Sequence, residues 1–296
     1  MKGLSWHGKS DIWVPMYNGL FNRLLSAAAL VVCVASSPFA QSEEHPAPQT
    51  PSAQQTITIT KAQTGEYHPR FKPNLNEATD KIIRQTNAFR EKEKLEPVVR
   101  DDLLQKTAQD FADFMAKTGK YGHNADEQTP GDRAQAHGYE ICYIAENIAM
   151  QFQSDGFATG PLMKAFFEGW QNSPPHRANM LQAAVTQTGV AISQSEVTGA
   201  YFAVQLFGRP KSQAIDIQIH NPLETEISYK LDEEAYQLPP HYTRRHMLCA
   251  PVTLNLSQDG KVLASFPVES GTLYTVQVEQ GKMIWKKSPL PTETTP

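Results

Sequence analysis

The chain has 296 residues, of which 40% are hydrophobic and 20% are charged, as in an ordinary soluble protein with one large domain and a smaller one. Its formal net charge of −4 at pH 7 offers no basic footprint, so we expect no nucleic-acid partner. The same balance gives no reason to expect binding to anionic membranes.

The N-terminus has the pattern of an export signal. An apolar run from Leu24 to Ala35 follows Arg23 and precedes small residues that end at Ala40. The run is shorter than the roughly 20 residues that a transmembrane helix needs, and it fits the apolar core of a cleaved signal peptide over residues 1–40. Met16 is a more normal start than Met1, because Trp6 and Trp13 are unusual in a signal's leading region. We therefore expect a secreted or periplasmic protein with no transmembrane anchor after signal removal.

Residues 41–73 are rich in Pro, Gln, Ser and Thr, a composition that cannot bury enough apolar surface to fold alone. They are predicted to form a Pro-rich linker. Within it, Thr56–Thr60 alternates strictly between Thr and Ile and is predicted to add to a sheet as an edge strand.

The region 74–210 combines helical and strand patterns. Apolar residues at helical spacing are preceded by capping residues such as Asp101 and Thr129 and followed by glycines. The predicted helices are Asn74–Glu93, Asp101–Thr118, Thr129–Gly138 and Gly160–Trp170, and the predicted strands are Thr188–Ser193 and Tyr201–Phe207.

A stiff corner lies at Trp170–Leu181. Pro174 and Pro175 bar a continuous helix, and a second short helix with Pro at its first position is predicted after the break. His176 would then lie at the start of that helix. On this segment alone, a helix–helix corner whose polar residues only cap and hydrogen-bond is the simpler interpretation.

Residues 211–287 differ in character, because short alternating segments are separated by turn signals such as Asp259-Gly260. They predict a small all-β domain resembling a sandwich. The tail 288–296, rich in Pro and Thr, is predicted to be disordered. The predicted strands are Ala214–His220, Glu226–Lys230, Val252–Leu256, Lys261–Pro267 and Leu273–Glu279.

Four polar residues stand out in the central region: His123, Arg133, Glu146 and His176. Glu146 lies in an apolar segment, and a buried carboxylate needs a partner, for which histidine is suitable. Two histidines and a carboxylate would suit a divalent metal such as Zn, with His123 and His176 as ligands. They would equally suit an acid–base pair in which Glu146 orients an imidazole. The spacing matches no local metal motif.

Cysteine usage leaves two interpretations open. Cys33 leaves with the signal peptide, and in an oxidising compartment Cys142 and Cys249 would be able to form a disulfide between two domains. Two separate buried thiols are the preferred expectation, because nothing in the sequence shows that the side chains meet. Neither cysteine has a nucleophile signature, and the sequence contains no GxSxG motif.

Residues 75–208 resemble the CAP superfamily of cysteine-rich secretory proteins, antigen 5 and pathogenesis-related proteins, and in particular its bacterial secreted SCP-domain branch. The matching segments follow one another in a single order along the chain. They are Asn87–Arg90, Leu95–Pro97, Leu104–Ala112, His123, Thr129–Arg133, Gly138–Tyr139, Glu146–Ala149, Trp170–Ser173, His176–Leu181, Gly189–Ala191 and Tyr201–Gly208.

The resemblance implies an α-β-α sandwich, and hence an α+β chain in which a CAP domain at 74–210 precedes the small β domain. It also implies a cleft with two histidines and two acidic residues. His123, Glu146 and His176 match three of these positions, whereas Ser173 stands where the eukaryotic pattern has a glutamate. Family members have been linked to lipid binding, to divalent-metal binding and in a few cases to proteolysis, so resemblance implies the fold and cleft more firmly than the chemistry.

The sequence therefore favours a secreted binding protein whose cleft, lined by His123, Arg133, Glu146, Asn147, Ser173 and His176, takes a small molecule, a lipid or a cell-wall fragment, with Zn as the candidate metal. The alternative is a metal-assisted hydrolase or peptidase of the cell envelope. A third interpretation is a structural polar network that fixes how loops pack. Whether the protein is an enzyme stays open.

Overall fold

The computed structural model describes residues 56–258 and 261–291. The predicted signal peptide, the start at Met16 and the first part of the linker lie outside these residues. The helices are α1 (Lys61–Thr64), α2 (Leu75–Lys92), α3 (Asp102–Thr118), α4 (Pro130–Ala136), α5 (Thr159–Asn172) and α6 (Pro174–Met180), with a short 3₁₀ helix at Lys211–Gln213.

The strands of the first domain alternate with these helices, and those of the second follow one another directly. The first set is β1 (Ile57–Thr58), β2 (Val99–Arg100), β3 (Lys120–Tyr121), β4 (Ile141–Gln151), β5 (Gln187–Gln194) and β6 (Tyr201–Pro210). The second set is β7 (Ile215–His220), β8 (Ile227–Leu231), β9 (Glu234–Leu238), β10 (Thr243–Leu248), β11 (Thr253–Gln258), β12 (Lys261–Pro267), β13 (Thr272–Glu279) and β14 (Lys282–Pro289).

The first domain is built around a four-stranded sheet in the order β2-β5-β6-β4. Helices α2, α5 and α6 cover one face, and α3 and α4 cover the other. Each face has its own core, one around Leu104, Phe111 and Phe202 and the other around Ile82, Phe166 and Trp170. The predicted α-β-α sandwich is confirmed.

Helix α3 shows how the local sequence sets these layers. Asp101 caps its N-terminus by accepting hydrogen bonds from the backbone amides of Leu103 and Leu104. One face of the helix carries buried apolar side chains at helical spacing, and Gly119 ends it in the left-handed conformation at φ 71°. The helix therefore stops where the chain must turn into β3 and reach His123.

Residues 56–73, here called the N-terminal strap, pack against the first domain. Strand β1 pairs antiparallel with β3, and farther along, the Tyr67 hydroxyl lies 2.6 Å from Nε2 of Gln194. The backbone amide of Phe71 donates to the carbonyl of Asp155. The strand predicted at Thr56–Thr60 is shortened to two residues. The described part of the predicted linker packs on the first domain, because apolar and aromatic side chains along it contact the domain at intervals.

The second domain has two four-stranded sheets, in the orders β10-β7-β13-β14 and β12-β11-β8-β9. They enclose a separate core that includes Ile217, Tyr229, Leu254 and Tyr274. The predicted all-β region is confirmed. Strands β9, β10 and β14 were not predicted, and β14 extends to Pro289, so the disordered tail predicted from residue 288 begins too early.

Cys142 and Cys249 are joined by a disulfide that connects the two domains, with their Cα atoms 5.1 Å apart. The expectation of two separate buried thiols is therefore wrong. The reason is a β-bulge in β4 between Ile141 and Tyr143, where Cys142 falls. A bulge redirects one side chain, and a residue-by-residue interpretation of β4 does not reveal it.

Candidate functional site

Strand β4 organises the candidate site. It is an edge strand of the central sheet, and it carries Glu146 and Asn147 in succession. Neighbouring residues of a strand point to opposite faces of the sheet. Glu146 therefore serves the side with α3 and α4, and Asn147 serves the side with α5 and α6.

On the first side, Glu146 is held by two partners. One carboxylate oxygen, Oε1, lies 2.7 Å from Nδ1 of His123, and the other, Oε2, accepts a hydrogen bond of 2.8 Å from Arg133. The Glu146 side chain is only 1% exposed, so it depends on both partners to offset the loss of water. An ionised carboxylate only accepts hydrogen bonds, so Nδ1 of His123 carries a proton.

Arg133 is the centre of this group. Its guanidinium also donates to Asp126 Oδ1 at 2.8 Å and to the backbone carbonyls of Gln128 and His123 at 3.0 Å. It lies 3.5 Å above the ring of Phe111, close enough for a cation–π contact. We call Asp126, Arg133, Glu146 and His123 the charged network. The short helix α4, capped by Thr129, positions Arg133 within it.

On the second side, His176 has neutral partners. Its Nδ1 lies 2.8 Å from the hydroxyl of Ser173, and its backbone carbonyl accepts a hydrogen bond of 3.1 Å from Asn147. Asn179 donates both to the Glu146 carbonyl at 3.1 Å and to the Asn147 side chain at 2.9 Å. We call Ser173, His176, Asn147 and Asn179 the neutral network.

The neutral network follows from the Pro-Pro corner. Helix α5 ends at Asn172, and α6 begins at Pro174 with proline in its first turn, so the predicted helix break is present. Ser173 between them has extended backbone angles, and this places its hydroxyl beside His176, which is within the first turn of α6. The break is therefore what brings Ser173 and His176 together.

Burial lowers the pKa of His176 to about 4, and the nearby charge of His123 lowers it further in the same direction. His176 is therefore neutral at physiological pH. His123 and His176 are held by consecutive residues of β4, because His123 contacts the Glu146 side chain and the His176 carbonyl accepts a hydrogen bond from Asn147.

The Ile148 carbonyl on β4 accepts hydrogen bonds from one residue near each network. Tyr121, just before the His123 turn, donates to it at 3.4 Å, and the Trp170 indole donates to it at 3.1 Å. Burial, followed by the charge of Glu146, raises the pKa of Tyr121, so its hydroxyl stays protonated. One carbonyl thus fixes the positions of the His123 turn and of the α5–α6 corner.

The residues present do not fit a Zn site with three protein ligands. Both oxygens of Glu146 already have partners, and Ser173 provides a hydroxyl where a carboxylate would be a ligand. Within residues 56–258 and 261–291, no group of three or more His, Cys, Asp or Glu side chains is arranged to hold a metal ion. The hydrogen bonds that hold the two histidine rings engage their Nδ1 atoms and leave Nε2 on the other side of each ring.

Two concave surfaces lie away from the charged and neutral networks. A groove of about 390 Å³ runs between α2 and α5, with Phe89, Met163 and Phe167 in its wall and charged side chains including Lys92 and Glu168 among its lining. A second concavity of about 680 Å³ lies at the end of α2. Neither is lined by residues of the two networks. The α2–α5 groove is therefore a surface separate from the two histidines.

Sequence reasoning named His123, Arg133, Glu146, Asn147, Ser173 and His176, and the structure places all of them in the two networks. It missed Asp126 and Tyr121. It also gave no role to Asn179, although this residue lies in the conspicuous corner segment. Asp126 is seven residues before Arg133, and this spacing beside a helix start was the available signal.

Comparison with known proteins gives the class of this domain. Residues 83–207 match the model of the cysteine-rich secretory protein family, CAP. This region is a CAP domain, so the resemblance inferred from the sequence is confirmed for it. The match covers less than half of the chain and none of the second domain.

The individual relatives match a similar share of the chain, slightly less than half of it. Protein YkwD of Bacillus subtilis, described as uncharacterized, is 27% identical over 130 residues, 44% of this chain and 46% of that protein. The chain thus matches less than half the length of this relative.

Among solved structures, an extracellular SCP-domain protein from Bacillus anthracis is 29% identical, with a TM-score of 0.38, over 46% of this chain and 41% of that one. An outer surface protein from Borrelia burgdorferi is 19% identical, with a TM-score of 0.40, over 45% of this chain and 93% of that one. Of the helices in the part of the chain that the structure describes, none is long and apolar enough to cross a membrane.

Proposed function

We propose that this protein is an exported CAP-domain protein that binds a small polar ligand, such as a cell-wall fragment, beside His123 and His176. The observation that carries the proposal is the attachment of two histidines to consecutive residues of β4, each with Nδ1 occupied by a partner. Their Nε2 atoms face no partner among the described residues. One imidazole belongs to a charged network and the other to a neutral one, so a ligand with both a donor and an acceptor would match the site.

Binding is favoured over catalysis by the state of the side chains. Glu146 has both oxygens engaged, so it holds His123 and Arg133 and is not free to act as a base. Ser173 contacts His176 at 2.8 Å, as a nucleophile contacts its base. However, a histidine whose pKa is lowered to about 4 is a weak base for a serine hydroxyl. Within the described part of the chain, the metal-assisted hydrolase has no assembled third ligand to support it.

A lipid ligand has better support in the α2–α5 groove. Phe89 and Phe167 are largely buried in its wall, and Lys92 and Lys164 lie among its lining. Five of its ten lining residues are polar or charged, so the groove offers apolar walls to an acyl chain and polar groups to its head group. A lipid would therefore bind away from His123 and His176, and the two ligand classes are separable by experiment.

The test is a set of ¹H–¹⁵N NMR titrations of the full chain with N-acetylmuramyl dipeptide, with a short-chain phosphatidylcholine and with Zn²⁺. We expect the muramyl peptide to shift signals of His123, Glu146 and His176, and the double variant His123→Ala/His176→Ala to abolish the shifts. Phe167→Ala is the matched control and should leave them unchanged. Rapid hydrolysis of the muramyl peptide by the wild-type protein would contradict a binding role, and shifts confined to the α2–α5 groove would contradict the assignment of the site.

A further inference from the structure

The junction between the two domains is short. Strand β6 ends at Pro210, the 3₁₀ helix follows, and β7 begins at Ile215. The 3₁₀ helix is anchored to the CAP domain at both ends. The amide of Lys211 donates to the Glu140 carbonyl at 2.8 Å, and the Gln213 carbonyl accepts from Arg209 at 2.8 Å. The crossing segment is thereby held to the first domain up to Gln213.

The disulfide lies beside this crossing. Cys142 is the bulged residue of β4, between Ile141, which pairs with Pro210, and Tyr143, which pairs with Arg209. Cys249 directly follows β10, whose last residue, Leu248, pairs with Ile215 at the start of β7. The bulge turns the Cys142 sulfur out of the sheet ladder and toward the second domain. Two covalent connections, the chain itself and the disulfide, therefore run side by side between the domains.

Apart from this junction, the apolar side chains of each domain pack against others of the same domain. The two clusters of the first domain draw on residues from Ile57 to Phe207, and the cluster of the second domain draws on residues from Ile215 to Trp285. Among the described elements, β4 packs against the 3₁₀ helix of the junction, which is itself held to the first domain. Relative motion is the expected behaviour of two domains without a large shared apolar interface.

We propose that the Cys142–Cys249 disulfide is an orientation lock, which holds the β domain at a fixed angle to the CAP domain and whose opening leaves both domains folded but free to turn about Lys211–Gln213. A single connecting segment permits rotation, whereas a second bond a few residues away removes it. The lock lies on β4, the strand that also carries Glu146, so the fixed angle is set relative to the candidate site.

The lock opens by thiol–disulfide exchange with a dithiol. A thiolate of the dithiol attacks one sulfur and forms a mixed disulfide, and its second thiol then releases the other cysteine. The protein gains two electrons and two protons as two thiols, and the dithiol becomes a disulfide. Both cysteines are partly exposed, so an external dithiol has access to the bond.

The experiment is ¹⁵N relaxation of the full chain, which gives a rotational correlation time for each domain. We expect equal correlation times in the wild-type protein and unequal times, with faster tumbling of the β domain, in Cys142→Ser/Cys249→Ser. Amide shifts within each core should be retained. The matched control Gln213→Ala removes the hydrogen bond that the Gln213 side chain accepts from the Thr186 hydroxyl and keeps the disulfide, and it should leave the two times equal.

Equal correlation times in the double serine variant would overturn the proposal, because contacts alone would then hold the angle. Loss of the dispersed amide signals of either domain would also overturn it, since the disulfide would then be needed for folding. If the variant is poorly expressed, wild-type protein titrated with dithiothreitol gives the same comparison, with unequal times on reduction supporting the lock and equal times rejecting it.

Discussion

The two sides of β4 hold their histidines by different physical means. On one side, His123 contacts a buried carboxylate that is itself held by Arg133, which also binds Asp126. On the other, His176 contacts a serine hydroxyl, and an amide side chain holds its backbone carbonyl. A site with two similar imidazoles is therefore chemically unsymmetrical, because each imidazole takes its properties from its partners.

The largest expected effect is on the charged network. Arg133→Met would leave Glu146 buried without its cation, and breaking a buried pair in this way costs about 3–5 kcal/mol of unfolding free energy. Arg177→Met is the matched control, because its ion pair with Glu93 is 42% and 44% exposed, and it should cost about 1 kcal/mol or less. Urea unfolding measures both. Equal losses would show that the charged network is not a buried ionic one.

The neutral network should show its character in acid. The pKa of His176 falls from 6.5 to about 4 in the folded protein, so the unfolded chain binds more protons between these pH values. Stability is therefore complete above about pH 6.5 and is lost as the pH falls toward 4, by up to about 3 kcal/mol. Urea unfolding across this range measures the loss. His176→Gln should flatten that part of the profile, and an unchanged slope in the variant would assign the loss to other groups.

A third effect concerns the pairing of β1 in the N-terminal strap with β3, which ends just before His123. Gly119 has a φ of 71°, and a Cβ there would lie 2.7 Å from the Ile59 carbonyl oxygen of the strap. Gly119→Ala should therefore cost about 1–3 kcal/mol and displace β1 from β3. Gly138→Ala is the control, because Gly138 also follows a helix, has a positive φ of 86°, and a Cβ on it would have no neighbouring atom within 4 Å. Thermal unfolding of the two variants separates the effect of the clash from that of the backbone strain. Equal losses of stability would mean that the strap does not stabilise β3.

The smallest effect is on the hydroxyl of the neutral network. Ser173→Ala leaves Nδ1 of His176 without its partner and should cost about 1 kcal/mol, the usual value of one hydrogen bond. Ser265→Ala, at an exposed position of β12, should change stability by about 0.5 kcal/mol or less. Chemical denaturation resolves the difference. A silent Ser173→Ala would indicate that the hydroxyl does not hold the imidazole.

Much of the difference between the two sides of β4 could be predicted from the sequence. The helical spacing and the caps predict α2 and α3, because local patterns act over a few residues. The Pro-Pro corner predicts the break that places His176, and the apolar surroundings of Glu146 predict that it needs a partner. The family pattern then connects His123, Glu146 and His176, which local spacing alone does not.

The remainder depends on contacts between distant segments. Asp126 lies in a turn without periodicity, so its bond to Arg133 appears only when the chain is folded. The pairing of Cys142 with Cys249 depends on a bulge and on a second domain 107 residues away. The docking of the strap depends on separate contacts at Gln194 and Asp155, which a Pro-rich composition conceals.

The most direct test of the unsymmetrical site is long-range ¹H–¹⁵N NMR of the histidine rings, which reports the proton on each nitrogen. We predict that Nδ1 of His123 carries a proton, that Glu146→Gln changes the signals of this ring more than those of His176, and that His176 stays neutral down to about pH 4. A His123 ring protonated only on Nε2, or two rings that titrate together near the ordinary histidine pKa, would contradict it.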